Sequence, residues 1–300
     1  NTTGASNVAV GTNALEINTT GGFCVAVGMG ACEQNTEGNH NVGIGFEALE
    51  ENTSADNNVA VGLYALRKNT TGTPNIAIGA YASDALTTGG GNTCVGYWAG
   101  SVMTTPNHNT FIGYYAGYPT TTGYRNTVCG AMAGYGLTSG YNNTFLGYDA
   151  GSTNSPSGNI TTGNNVVCIG DNNTDDLYCS DTSISSSDKR DKTDVVNFTH
   201  GLNWVNQLNP ITYRWDKRTW YDDNTPDGSK KRNKKHIGFL AQDVLAIEGN
   251  PSSKDDMLVV NINEDNTAYG LKYERLVPVL VNAIKELSTK VTALEAKVNG

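Results

Sequence analysis

Positive charge is nearly absent from residues 1–186 of this 300-residue chain. Only Arg67, Lys68 and Arg125 stand there against 13 acidic residues, a balance of −10, whereas residues 187–300 carry +1. Such a surface repels polyphosphate, so no nucleic acid is expected as a partner. Long apolar runs are missing too. None approaches the roughly 18 residues of a membrane-spanning helix, no basic-then-apolar leader opens the chain, and no membrane insertion is expected. The chain opens on Asn1 without a methionine, as a piece of a longer polypeptide would. Hydrophobic residues make up only 38% and glycine fills 35 positions, a poor mixture for one large globular core. Burial is therefore expected from repetition across rungs or subunits.

The six cysteines (Cys24, Cys32, Cys94, Cys129, Cys168, Cys179) and four histidines (His40, His108, His200, His236) show no ligand spacing. No metal and no cofactor is expected, and the cysteines read as buried free thiols at small-residue positions. Gly89-Gly90-Gly91 lacks the lysine of a phosphate loop. Carboxylate pairs suited to glycoside hydrolysis do not recur, which weighs against a fibre-borne glycan-degrading enzyme.

What is present is a strict repeat. The glycine that closes Asn7-Val8-Ala9-Val10-Gly11 returns at every seventeenth position: Gly28, Gly45, Gly62, Gly79, Gly96, Gly113, Gly130 and Gly147. Three positions after each stands an alanine, from Ala14 to Ala150, and just before each stands an apolar residue (Val10, Val27, Ile44, Val61, Ile78, Val95, Ile112, Cys129, Leu146). Nine copies in one register predict a solenoid, with a short strand before each marker glycine. Within a strand, residues such as Val8 and Val10 share one face and Ala9 takes the other. Asn18-Thr19-Thr20-Gly21 and its equivalents read as turns. Copies six to nine change dialect, with Asn-Thr ahead of the strand, larger residues such as Phe111 and Phe145 inside it, and Gly100, Gly117, Gly134 and Gly151 after the alanine. Tyr97, Trp98, Tyr114, Tyr115 and Tyr148 crowd this second dialect. They read either as corner packing or as an exposed ladder that stacks on sugar rings, and are the candidate receptor contacts. The pattern over 7–151 resembles the head repeat of trimeric bacterial adhesins, a left-handed parallel β-roll, and similar runs in phage tail fibres.

The rhythm breaks after Gly147. A polar passage over 152–186 contains one more similar strand, Val166 to Gly170, and then an acidic, serine-rich stretch. Beyond it, Leu202, Val205 and Leu208 have helical spacing stopped by Pro210, Thr212 to Trp215 reads as a strand, Asp216 to Lys235 as a solvated insertion, and Ile237 to Val244 as apolar core. The chain closes on heptads over 276–299, with Val277, Ile284, Val291 and Val298 at a and Leu280, Leu287 and Leu294 at d; Lys290 and Glu295 sit at g and e. Three heptads are marginal alone. Val or Ile at a with Leu at d leans towards two strands, but a rolled fibre is expected to impose three. The expected fold is thus a trimeric β-solenoid followed by a small α+β unit, 187–300, that ends in a coiled-coil helix.

Four motifs within 187–300 carry a second resemblance: Ser187-Asp188-x-Arg190-x-Lys192, Leu208-x-Pro210-x-x-Tyr213-x-Trp215, Gly238-Phe239-x-Ala241-Gln242, and Tyr273-x-x-Leu276-x-Pro278-x-Leu280. Together they resemble the peptidase S74 family, the C-terminal intramolecular chaperones of phage tail fibres and tailspikes. The resemblance implies a homotrimer on a virion that meets a host cell-surface receptor, a glycan or an outer-membrane component. It also implies a module that registers three chains and then cuts between Ser186 and Ser187, with Ser187 as nucleophile and Lys192 as base. Asp188, Arg190, Gln242 and Arg275 are candidate supporting residues. A trimeric cell-surface adhesin is the alternative reading. Lys192 stands five positions after Ser187, which is about 140° around a helix and opposite faces of a strand, so the two can meet only across a bend. Trimer assembly is expected to make that bend and to bury the lysine.

Overall fold

In the computed structural model, which describes residues 1–174, 177, 187–263 and 268–299, the chain forms two compact units, Asn1–Thr174 and Asp175–Gly300. The first is a β-solenoid. Its strands β1 (Val8–Val10), β2 (Val25–Val27), β3 (Val42–Ile44), β4 (Val59–Val61), β5 (Ile76–Ile78), β6 (Thr93–Val95), β7 (Thr110–Ile112), β8 (Thr127–Cys129), β9 (Thr144–Leu146) and β10 (Val167–Ile169) form one parallel sheet in chain order. Each residue pairs with its equivalent one rung away, Ala60 with Ala77 for example, so the repeat period is the register. The extra residues between β9 and β10 are taken up between Gly151 and Ile160; Ile160 is back in the core, Thr138 N–H donates to the Thr161 carbonyl, and Cys168 still pairs with Phe145.

The marker glycines explain why a rung closes. Their φ runs from +131° at Gly11 to +145° at Gly130, with Gly147 at +105°, a region that side chains with a Cβ rarely enter. A Cβ at Gly45 would lie 2.5 Å from the Gly62 carbonyl of the next rung. Two residues on, each rung takes a second left-handed corner, and four residues on a third.

Only the middle residue of each three-residue strand from β2 onwards points inward; the flanking Val, Ile and Thr side chains face out. The interior is completed by the invariant alanine and the residue after it. The change of dialect is a volume exchange within this interior. Where the residue after the alanine is Leu49 or Leu66, the strand contributes Gly43 or Ala60; where it is Gly117 or Gly151, the strand contributes Phe111 or Phe145. A Cβ at Gly117 would stand 2.6 Å from the Phe111 ring. Close packing makes either arrangement acceptable and a mixture costly.

The asparagines of the expected turns proved to be interior. Asn18, Asn35, Asn52 and Asn69 are buried and stacked: Asn35 Nδ2 donates to Asn18 Oδ1 at 2.9 Å, Asn52 to Asn35 at 2.7 Å and Asn69 to Asn52 at 3.2 Å. The ladder stops where Leu86 occupies the next rung, and Asn69 Oδ1 is left without a hydrogen-bond partner among the described residues. A second ladder runs on through both dialects. The Asn75 N–H donates to Asn58 Oδ1, Asn92 to Asn75 and Asn109 to Asn92, each Oδ1 satisfying a backbone donor one rung on. Four described cysteines, Cys24, Cys32, Cys94 and Cys168, are buried free thiols, and burial pushes Cys32 and Cys94 up to about 12. Cys129 departs from that expectation: it flanks the inward position of β8 and is exposed. Cys179 lies outside the described residues.

The second unit is small and mixed. It contains helix α1 (Leu202–Val205), a hairpin of β11 (Ile211–Tyr213) and β12 (His236–Gly238), helix α2 (Ala241–Ile247), a hairpin of β13 (Val260–Ile262) and β14 (Tyr269–Leu271), and helix α3 (Leu276–Val298). Trp204, Val244, Met257, Val259, Val260, Leu276 and Val279 form its core. Glu248, just past α2, accepts the backbone N–H groups of Leu258, Val259 and Val260 and fastens α2 to β13. Ile237 to Val244 is not one apolar run in space. Ile237 projects outward at 80% exposure from β12, and the chain then turns into α2. The basic insertion folds over its own aromatics, with Arg232 over the Trp220 ring at 4.8 Å and Lys217 near Trp215 at 5.1 Å. No described helix is long and apolar enough to cross a membrane.

Helix α3 has two apolar sides. Leu276, Val279 and Ala283 face the core, and on the same side Asn282 Nδ2 donates to the Phe198 and His200 carbonyls while Glu286 accepts from Leu202 N–H. The expected a and d residues lie on the other side and are all exposed, Ile284 at 65% and Leu294 at 61%.

Candidate active site

Asp188 shapes the site. Its side chain accepts the Arg190 backbone N–H at 2.9 Å and caps a single 3-10 turn, Lys189–Asp191, while Lys192 N–H closes onto the Lys189 carbonyl. The Arg190 guanidinium returns to the same carboxylate, Nη2 to Oδ2 at 2.6 Å and Nε to both oxygens at 3.1 Å. These bonds hold Asp188 below the usual carboxylate range, chiefly through the Arg190 side chain. The turn reverses the chain just enough that Lys192 Nζ lies 2.7 Å from Ser187 Oγ.

The bend that neither helix nor strand geometry supplies is thus local, written into Ser-Asp-x-Arg-x-Lys as a capped 3-10 turn, and one copy of the chain forms it. That corrects the expectation that assembly makes it. The lysine is not covered: Ser187, Arg190 and Lys192 are all exposed. Ser186, on the other side of the expected scissile bond, lies outside the described residues.

Asp188 and Arg190 therefore join the pair as its scaffold. Gln242 and Arg275 do not. Gln242 is exposed on α2, and Arg275 Nη1 donates to the Leu258 carbonyl at 2.9 Å, where it ties the start of α3 to the segment before β13. Sequence reasoning missed Asn282 and Glu286. They connect α3 to the stretch of chain that leads away from Lys192, and their only sequence signal is a pair of polar residues four apart on the non-heptad side of the helix.

The aromatic corner of the solenoid is more extensive than the sequence dialects showed. Tyr64, Tyr81, Trp98 and Tyr115 occupy the same left-handed corner in successive rungs, with φ of 58°, 60°, 59° and 55°. Trp98 is stacked on Tyr81 at 4.8 Å and on Tyr115 at 6.1 Å, so both its faces are covered by protein rings. Tyr97 stacks on Tyr114 at 5.7 Å, and Tyr118 on Tyr135 at 5.9 Å. Corner packing describes Trp98 and Tyr115. Tyr97, Tyr114 and Tyr148 are exposed, and Tyr148 stands outside the stacks.

Residues 187–252 match the family model of the chaperone of endosialidase, peptidase S74. The C-terminal unit carries a peptidase S74 chaperone module. The match begins at Ser187 itself and covers the capped 3-10 turn, the first hairpin and α2; α3 and its heptads lie beyond it. Searches of the curated proteins and of the solved structures returned no match. A chaperone module of this family following a ten-strand parallel solenoid in the chain fits a tail fibre or tailspike, a component of a virion.

Proposed function

We propose that the solenoid is the distal part of a host-attaching tail fibre and that the S74 module brings three chains into register and then releases itself at the Ser186–Ser187 bond. The observation that carries this reading is the 2.7 Å contact between Lys192 Nζ and Ser187 Oγ at the first residue of the matched module. A serine hydroxyl attacks an amide only with a base at hydrogen-bond distance, and a lysine serves as that base once it is neutral. Lys192 then takes the Oγ proton and Oγ attacks the Ser186 carbonyl carbon. The Ser187 nitrogen leaves with a proton, giving an ester from Ser186 to Ser187 Oγ and a free Ser187 amine. Water hydrolyses the ester, restoring the hydroxyl and leaving a carboxylate on Ser186.

Exposure keeps this chemistry waiting. Burial is what disfavours the charged form of a lysine, and an open Lys192 does not have it. The bare a and d side of α3 supplies a reason for three copies to meet, and Asn282 on the opposite side of the same helix holds the Phe198 and His200 carbonyls of the chain that leads away from Lys192. Closing the helices around one another brings three modules together at that seam. Receptor contact falls to the exposed tyrosines Tyr97, Tyr114 and Tyr148: the first two stack on each other and offer ring edges and hydroxyls, and Tyr148 stands outside the stacks. The test of the cleavage reading is Ser187→Ala. Mass spectrometry should find the variant as the uncut 31.8 kDa chain while the parent yields a fragment beginning at Ser187; equal cutting of both removes Ser187 from the mechanism.

A further inference from the structure

The outer face of the ten-strand sheet is apolar and is covered by nothing within the solenoid. The position before each marker glycine is apolar in every rung, and Val10, Ile44, Ile78, Ile112, Leu146 and Ile169 along it are exposed large hydrophobics. Its partner column is Val or Ile in β1–β5 and Thr in β6–β9. Not one residue of β1–β10 is charged. Nine rung steps of about 4.8 Å make this a strip roughly 43 Å long.

We propose that this face is where copies of the chain meet, parallel and rung against rung; the proposal rests on the trimeric reading above. Three features select another copy as the occupant. Residues 1–186 carry −10, so copies repel one another on most surfaces, and the sheet face is a long stretch of the solenoid surface free of charge. An apolar column that recurs once per rung is matched along its whole length by a surface of the same period, which a second copy supplies. The unpartnered a and d side of α3 also calls for parallel copies.

The same periodicity creates a problem that the S74 module is placed to solve. A column that repeats every rung fits a neighbour shifted by one rung almost as well as one in register, so the face gives association without alignment. The α3 seam repeats by heptads of about 10.5 Å and not by rungs of about 4.8 Å, so a shift of one rung breaks it, and it selects which rung meets which. In register, Cys129 lies opposite Cys129.

That cysteine is a built-in probe. In a Cys179→Ser background the full chain is sized by light scattering and its native Cys129 is timed against a maleimide. The reference is the thiol of Ser139→Cys, exposed in the same rung but outside the strand, in a chain that also carries Cys129→Ser. The expected result is a trimer in which Cys129 reacts at least tenfold more slowly than the reference and recovers when the chain is unfolded in urea. Oxidation with copper(II)-phenanthroline, which accepts the two electrons released as two thiols join, is expected to link two chains of each trimer and leave the third single. A trimer whose Cys129 reacts as fast as the reference overturns the face alone. A monomer overturns the trimeric reading and the face with it.

Discussion

In the solenoid every rung covers the one before it, down to backbone amides matched by asparagine oxygens of the neighbouring rung; in the S74 unit the longest helix leaves its heptad side bare and the reactive pair stands in solvent. The two have opposite relations to other copies. A rung is complete once its neighbours along the chain are in place. The module brings Ser187 Oγ and Lys192 Nζ together within one copy and leaves both side chains uncovered. On the proposed reading, a fibre to be kept and a device to be discarded differ in that way.

The largest expected effect sharpens the closed side. Phe111→Ala empties a fully buried ring site beside Gly117 and should cost about 3–5 kcal/mol by chemical denaturation. Adding Gly117→Leu to it converts the rung to the other dialect and should recover part of the loss. Two losses that simply add would show that the dialects are not a volume exchange. On the open side, Lys192→Arg keeps a cation and a donor next to Ser187 but cannot supply a neutral base, so cleavage followed by mass spectrometry should slow at least about 100-fold. Cleavage at the parent's rate would assign the base elsewhere. The smallest effect separates two asparagines of one ladder. Asn35→Leu breaks bonds to both neighbours and should cost about 2 kcal/mol, while Asn69→Leu, at the rung where the ladder already ends, should cost less than half of that. Equal melting shifts would contradict the ladder's boundary.

Much of this was legible beforehand because the repeat is strict. A glycine at every seventeenth position implied the rung, the register and the parallel sheet, since a marker at φ near +131° with a carbonyl 2.5 Å from its missing Cβ tolerates nothing else. The interior asparagines were not legible as such. Asn-Thr-Thr-Gly is turn chemistry, and only the persistence of Asn itself at Asn18, Asn35, Asn52 and Asn69, where a turn would also admit Asp, Ser or Gly, distinguishes a ladder. At the site, the motif named Ser187 and Lys192 as a pair and the structure brings them into contact, but the 3-10 turn that joins them depends on Asp188 serving two donors at once, a detail that spacing does not encode. Gln242 and Arg275 shared the motif set and not the place. The heptad residues of α3 are exposed; what the heptads did not show is that the adjacent side, through Leu276, Val279 and Ala283, is committed to the unit's own core.

The account stands on cleavage being conditional on copies meeting. Ile284→Asp with Leu287→Asp alters only exposed seam residues of α3 and leaves the turn and the module's core untouched. Light scattering and intact mass of the full chain, followed together over time, give the direct test. The variant is expected to stay monomeric and uncut while the parent becomes trimeric and then loses the module at Ser187. A monomeric variant that cuts itself at the parent's rate would contradict the account.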